Sequence, residues 1–312
     1  MKIGFIGLGR MGFNIVLNLK DKNIDVVAHN RSPLPLKKIK KQVAGERVSK
    51  RASHGTVAVA FSIEELMNKL PKQKIIWLMV TAGKPVDLVI EELIPYLNAN
   101  DIIIDGGNSF YKDSIRRCKK LKNKKIHFVD IGTSGGLAGA RHGACLTIGG
   151  DRKTFRKIEW LCKAVSAKNG YAYVGSAGAG HFVKMVHNGI EYALLQAYGD
   201  GFELLHRGHY KNLDLGKIAD TWQNGSVIRS WLLELAIDAF KKDSKLKKIE
   251  GIVGGGETGQ WAVDTAKEFN VKIDSIKLAL KLRKKTKKHP RFAGKVIAAL
   301  RNEFGGHEVM RK

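Results

Sequence analysis

Apolar residues recur in two rhythms along the 312-residue chain. In the first half, short, largely apolar runs at 2–6, 25–29, 75–80, 102–105, 127–131 and 144–148 read as buried strands. Between them, over 14–19, 62–70, 86–97 and 111–121, apolar residues return every three or four positions, the spacing of helices packed by one face. Strands alternating with helices predict a mostly parallel, doubly wound sheet whose ligand crevice lies beyond the carboxyl ends of the strands. From 178 to about 208 the rhythm changes. This stretch lacks proline and is apolar nearly all round. It predicts a helix roughly 45 Å long, the buried spine of a second domain. The expected architecture is an α/β Rossmann-type domain over 1–177 followed by an all-α domain over 178–312.

The first strand runs straight into Gly7-Leu8-Gly9-Arg10-Met11-Gly12, a G-x-G-x-x-G turn that opens a helix. Strand, glycine turn and helix in that order is the layout of a dinucleotide site. Gly7 permits the tight turn, Gly9 lets the backbone approach a pyrophosphate, and Gly12 lets the helix pack closely on the strand. The helix N-terminus then offers N–H groups and a positive dipole end to the phosphates. The alternative is an ordinary β–α turn. The end of the second strand selects the cofactor. An acidic residue there would accept from a ribose 2′-hydroxyl, but this chain reads Asn30-Arg31-Ser32, and Asp25 stands at the opposite end of the strand. Arg31 can pair with a 2′-phosphate and stack on adenine, which favours NADP over NAD. The alternative is a solvated Arg31.

Against the apolar background of 178–208, four polar residues stand out: Lys184, His187, Asn188 and Glu191. At about 100° per residue they share a sector of roughly 100° on one helix face. A lysine and a glutamate on a core helix are costly unless paired or functional. A buried lysine with a lowered pKa can serve as general base and a glutamate as general acid. The structural alternative is a Lys184–Glu191 or Lys184–Asn188 contact. Two glycine-rich segments follow strands, Asp105-Gly106-Gly107-Asn108-Ser109 and Gly132-Thr133-Ser134-Gly135-Gly136. Both can present backbone N–H groups and small side chains to a carboxylate.

Composition narrows the class. Hydrophobic residues make up 44% of the chain, which excludes a disordered protein. No apolar run reaches membrane-span length, and residues 1–7 read as a strand rather than a signal peptide. Three widely spaced cysteines argue against a disulfide framework or a zinc cluster and fit a reducing cytoplasm, with no metal site expected. The net charge of +26 gathers in lysine blocks at 37–41, 119–125 and 284–288. No aromatic residues interleave with these blocks. They therefore read as a basic, solvated surface that draws in anionic substrates rather than as a nucleic-acid site.

Residues 5–12, 105–109, 131–136, the long run 178–192 and the terminal Phe304-Gly305-Gly306-His307 together resemble the 6-phosphogluconate dehydrogenase family. These are the decarboxylating enzymes of the pentose phosphate pathway, within the β-hydroxyacid dehydrogenase superfamily. The resemblance implies that Lys184 takes the proton of the substrate 3-hydroxyl as hydride leaves C3 for a nicotinamide. The β-keto acid then loses CO2, and Glu191 protonates C1 of the enediol to give ribulose 5-phosphate. It places Val80, Thr81, Ala82 and Asn108 at the cofactor. It places Asn108, Ser134, Gly135, Gly136, His187 and Asn188 on the sugar acid, and Tyr192, Arg283, Arg301 and His307 on the phosphate. In the family the last two reach in from a partner subunit, which implies a homodimer or a higher homo-oligomer.

The chain departs from the family pattern in three respects. It is shorter than the common form and resembles a short branch in which NAD use is frequent. Gln260 precedes Trp261 where the family has a basic residue, and Ala262 stands where threonine is frequent, so one phosphate contact is expected to be lost. Thr81 replaces a lysine. Two rival readings share part of this pattern. A dehydrogenase of a small hydroxy acid, without decarboxylation, would keep the glycine turn, Ser134, Gly135, Gly136 and Lys184. It would not be expected to carry Asn188-Gly189-Ile190-Glu191 or the Gly-Gly-His307 tail. A non-catalytic dinucleotide sensor that binds nucleic acid is opposed by the intact Lys184 and Glu191 face.

Overall fold

The computed structural model describes residues 1–45 and 54–311, and the chain divides into two compact units, Met1–Lys184 and Met185–Lys312. In the first, strands β1 (Lys2–Ile6), β2 (Asp25–His29), β3 (Val57–Ala60), β4 (Ile75–Leu78), β5 (Ile102–Asp105), β6 (His127–Ser134), β7 (Ala144–Gly150) and β8 (Ser166–Gly175) form one sheet. Its order is β3-β2-β1-β4-β5-β6-β7-β8, and every neighbouring pair is parallel except β6 with β7. Helices α1 (Arg10–Asp21), α2 (Pro33–Gly45), α3 (Ile63–Asn68), α4 (Lys84–Leu93), α5 (Tyr111–Lys122), α6 (Gly136–His142) and α7 (Arg152–Val165) connect the strands.

The largely apolar runs have a direct cause. Ile3, Phe5, Trp77, Ile104 and Val129 pack into one core, whereas their strand neighbours Ile6, Ile76, Leu78, Ile103 and Phe128 pack into another. Successive side chains point to opposite faces, so a sheet covered on both faces needs apolar residues at every position. From β1 the chain winds outward to β2 and β3, then crosses back to lay β4 on the other side of β1. The registers Ile6 with Leu78 and Leu78 with Asp105 bring the carboxyl ends of β1, β4 and β5 into line at this reversal. A doubly wound sheet binds its ligand at that point.

Some elements escape the apolar rhythm. Strand β3, Val57-Ala58-Val59-Ala60, is apolar but short and largely uncovered, and β8 carries Lys168, Asn169 and Gly170, so neither sheet edge shows a long apolar run. Strand β6 runs three residues past Ile131, because its antiparallel ladder with β7 continues to Ser134 opposite Cys145. Pro85 sits in the first turn of α4, where it is tolerated, and Pro95 lies in the 3-10 turn Ile94–Tyr96 that ends the helical stretch. Lys119, Lys120 and Lys122 occupy the last turn of α5, and Lys284 and Lys285 the last turn of α12 (Asp274–Lys285). Part of the basic charge thus faces the negative ends of helix dipoles.

Helix α8 (Ala179–Arg207) begins in the first unit and continues into the second, followed by α9 (Leu215–Gln223), α10 (Trp231–Lys242), α11 (Glu257–Glu268), α12 and α13 (Phe292–Gly305). Leu195 and Phe202 of α8 join Leu233, Phe240, Val296 and Leu300 in the core of the helical unit. The expected wholly buried spine is only partly so. Val183, Val186, Ile190, Leu194 and Leu204 are between 36% and 73% exposed. No helix among the described residues is long and apolar enough to cross a membrane.

Candidate active site

The glycine turn has reasons internal to the fold at two positions. Gly7 leaves β1 with φ of +104°, and a Cβ there would lie 2.3 Å from the Met79 carbonyl oxygen. A Cβ at Gly12 would lie 2.0 Å from the Gly7 carbonyl oxygen. Gly9 differs, since among the described residues no atom outside its own neighbourhood in the chain stands within 4 Å of its Cβ position. Its missing side chain leaves space in front of the turn, which a pyrophosphate approaching the backbone requires. No side chain caps the N-terminus of α1 at Gly9. The residues present therefore fit a dinucleotide, whose phosphates Leu8, Gly9, Arg10 and Met11 would hold. Asn30 ties the turn to β2. Its Oδ1 accepts from the Leu8 amide at 2.9 Å, and its Nδ2 donates to the Ser32 carbonyl and hydroxyl at 3.0 and 3.1 Å. Arg31 and Ser32 are exposed beyond it.

Three further loops leave the same edge of the sheet. Val80, Thr81 and Ala82 follow β4. Asn108 is exposed in the loop after β5, where the Gly107 Cβ position is 3.0 Å from the Val80 carbonyl oxygen. Thr133 on β6 donates to the Gly106 carbonyl at 3.0 Å. Gly132, Thr133 and Ser134 belong to the strand rather than to a loop, so the turn contracts to Gly135, with φ of +110°, and Gly136 opens α6.

The start of α8 is fixed by a buried carboxylate. Asp130 of β6 is fully buried and accepts from the amides of Gly178 at 2.7 Å and His181 at 2.9 Å. It satisfies helix donors that would otherwise be left unpaired, at the end where negative charge is favoured. Glycines make the seat. A Cβ on Gly132 would lie 2.4 Å from the Lys184 Cβ, and one on Gly149 would lie 2.6 Å from the Gly180 amide nitrogen. Lys184 is 9% exposed. Further along α8, within the second unit, Asn188 is buried, Glu191 half-buried and His187 exposed.

The second unit gathers its own charged cluster. The Arg283 guanidinium lies 3.6 Å from the centre of the Tyr192 ring, is 3% exposed, and leaves its buried Nη1 without a hydrogen-bond partner. The Tyr192 hydroxyl bonds the Thr258 hydroxyl at 3.1 Å, and its ring fills the place a Gly259 side chain would take. Burial pushes the Arg283 pKa below its ordinary value. Burial, and then the charge of Arg283, push Arg301 down to about 10. Arg301 reaches within 3.3 Å of the Gly255 Cβ position, beside the glycine turn that opens α11.

Arg301 therefore lies near Arg283 of its own chain, at a position that the resemblance assigns to a neighbour's phosphate site. Gly306, at φ of +57°, turns the tail back, so that Glu250 pairs with Met310 and Ile249 bridges Arg311. His307 follows this turn, with its ring edge-on to Phe304. Gln260 is bonded to Asp264 and accepts from Lys284 at 2.9 Å. A cation thus stands next to the position that lost one. Its sequence reading as part of a solvated block concealed this, and only the packing of α12 beside α11 reveals it. Ala262 is 6% exposed and packs near Gly189, so it serves the helix contact.

Residues 2–175 match the NAD binding domain of 6-phosphogluconate dehydrogenase, and residues 180–301 match that enzyme's C-terminal domain. An NAD(+)-dependent decarboxylating 6-phosphogluconate dehydrogenase of Haloferax volcanii is 42% identical across 100% of this chain and 99% of its own length. The decarboxylating enzyme of Ovis aries is 40% identical over 88% of this chain but 57% of its own. The Plasmodium falciparum 6-phosphogluconate dehydrogenase structure superposes with a TM-score of 0.81 at 32% identity, over 91% of this chain and 62% of that one. A Mycobacterium tuberculosis 3-hydroxyisobutyrate dehydrogenase, 18% identical, shares the fold at a TM-score of 0.71, covering 96% of this chain and 99% of that one.

Proposed function

The chain belongs to the 6-phosphogluconate dehydrogenase family, and on that premise we propose that it oxidises and decarboxylates 6-phosphogluconate to ribulose 5-phosphate with reduction of a nicotinamide cofactor. The observation that carries the substrate is the Arg283 and Arg301 cluster. Arg283 is buried with Arg301 half-buried beside it; burial lowers the pKa of both, and Arg283 lowers that of Arg301 further. Such an arrangement is expensive unless a dianion joins them. A phosphomonoester carries close to two charges near neutral pH and accepts from several donors at once. A small hydroxy acid without a phosphate gives such a cluster nothing to bind.

When bound, the nicotinamide ring supplies the hydride acceptor. Lys184 takes the proton of the substrate 3-hydroxyl and, once protonated, polarises the ketone during loss of CO2. Glu191 then delivers a proton to C1. Asn108, Ser134, Gly135, Gly136, His187 and Asn188 orient the sugar acid, and His307 supports the phosphate beside the arginines. For the cofactor we favour NADP, since Arg31 and Ser32 stand exposed where a carboxylate would repel a 2′-phosphate. We also read the protein as a cytoplasmic homodimer. The exposed apolar residues of α8 fall at helical spacing along one face and suit burial against a second copy. Incubation with 6-phosphogluconate or gluconate and each cofactor, following reduced cofactor and CO2 together, tests the reading. Reduced cofactor without CO2 would refute the decarboxylation, and equal rates on both acids would refute the phosphate site.

A further inference from the structure

Arg117 lies on α5 next to the exposed Arg116, yet it is 1% exposed. Its Nη2 donates to the Gly83 carbonyl at 2.9 Å, immediately after Val80, Thr81 and Ala82. Its Nε donates to Asp87 at 2.9 Å, in the first turn of α4. Its Nη1 donates to Asp105 at 3.3 Å and to the Ser109 hydroxyl at 3.4 Å. Asp105, fully buried at the end of β5, in turn accepts from the Gly107 amide at 3.2 Å and the Ser109 hydroxyl at 2.8 Å, on either side of Asn108. One side chain is thus bonded to the base of both loops.

We propose that Arg117 is a positioning residue that sets the spacing between the 80–83 loop at the cofactor and the 106–109 loop that carries Asn108. The inference rests on the reading of these loops given above. A guanidinium holds five N–H donors in one rigid plane, so groups bonded to different edges of it cannot shift independently. A lysine ammonium is a point on a flexible stem and cannot span the same acceptors. Burial argues against a role in stability alone, because a buried ion pair is commonly no more stabilising than apolar residues of equal volume. The charges facing Arg117 are Asp87, Asp105 and Asp113, with Arg116 sharing Asp87 and Asp113. Burial works to raise the Asp87 carboxyl, but hydrogen bonds from Arg117 and Arg116 outweigh it and hold it at about 2. The outer anchor therefore stays charged through the working pH range.

Asp87→Asn weakens the anchor at α4, Ser109→Ala removes both bonds of the Ser109 hydroxyl at the Asn108 loop, and Arg117→Lys removes the rigid fork. Each is measured for dinucleotide dissociation constant, for kcat and KM with 6-phosphogluconate well below the melting temperature, and for the melting temperature itself. Asp87→Asn should weaken dinucleotide binding several-fold more than it raises the substrate KM, and Ser109→Ala should do the reverse. Arg117→Lys should lower kcat roughly 10- to 100-fold, the scale of an ångström-sized misplacement. If Arg117→Lys does not fold, the other two variants still decide. Variants that lose only melting temperature, with binding and kinetic constants within twofold of wild type, would overturn the proposal. The dinucleotide measurement stands whether or not 6-phosphogluconate is the substrate.

Discussion

The glycine turn and the arginine cluster both suit phosphate oxygens, but they are built on opposite principles. The turn occupies six consecutive residues and offers backbone N–H groups and a helix dipole, which carry no net charge and need no partner when empty. The cluster brings Tyr192, Gly255, Arg283 and Arg301 together from far-separated positions of the second unit. It sets a buried and a half-buried like charge side by side, a cost that a bound anion would relieve. The first is a geometric site and the second an electrostatic one. The two should fail in different ways.

The largest effect should fall on neither. Lys184→Met should lower turnover by ~10²–10⁴-fold, the usual cost of losing a general base, while dinucleotide and 6-phosphogluconate binding persist. More than half of wild-type turnover would make Lys184 structural and leave the comparison without its chemistry.

Next come substitutions that separate the two sites. A Cβ at position 12 meets the Gly7 carbonyl oxygen at 2.0 Å, so Gly12→Ala should abolish dinucleotide binding and spare phosphate binding. Arg283→Met should raise the KM for 6-phosphogluconate by about 10- to 150-fold, the equivalent of one charged hydrogen bond of roughly 1.5–3 kcal/mol. Gluconate should be almost unaffected. Crossed effects, seen by titration calorimetry, would show that the sites are not independent.

Arg301 sharpens the electrostatic half. Because it joins Arg283 of its own chain, a hybrid of one Arg301→Met and one Lys184→Met subunit should contain no intact site and stay inactive. Activity in purified hybrids would mean that the arginine serves the neighbouring subunit. Its pKa, lowered to about 10, gives a further expectation. A cation whose pKa falls on folding destabilises the fold while charged, and that cost fades as pH rises through about 10. At neutral pH 6-phosphogluconate should therefore raise the melting temperature more than gluconate does, and its KM should climb as pH approaches 10. Parallel behaviour of the two acids would remove Arg301 from the phosphate site.

The smallest effect concerns Gln260. Since Lys284 already donates to it, Gln260→Lys would set two cations side by side. The gain in 6-phosphogluconate affinity should stay below about fivefold, the roughly one kilocalorie that exchanging a neutral for a charged donor would otherwise bring. A larger gain, read from KM, would mean that Lys284 does not stand in for the missing cation.

Which features the sequence determined follows from how local each one is. The G-x-G-x-x-G turn, the alternation of buried strands and helices, and the shared face of Lys184, His187, Asn188 and Glu191 depend on residues a few positions apart. Backbone geometry alone makes such patterns legible. Edge strand β8 was not legible because Lys168, Asn169 and Gly170 interrupt its apolar pattern, and β3 was not because a four-residue apolar run does not by itself separate strand from helix. Tertiary structure alone decided that Asp130 caps α8, that Lys284 stands beside Gln260, that Arg301 lies near Arg283, and that Arg117 is buried between two loops. In each case a charged side chain draws its meaning from a partner distant in sequence. Charge written along a chain reveals neither its burial nor its partner, and these two quantities set its energy.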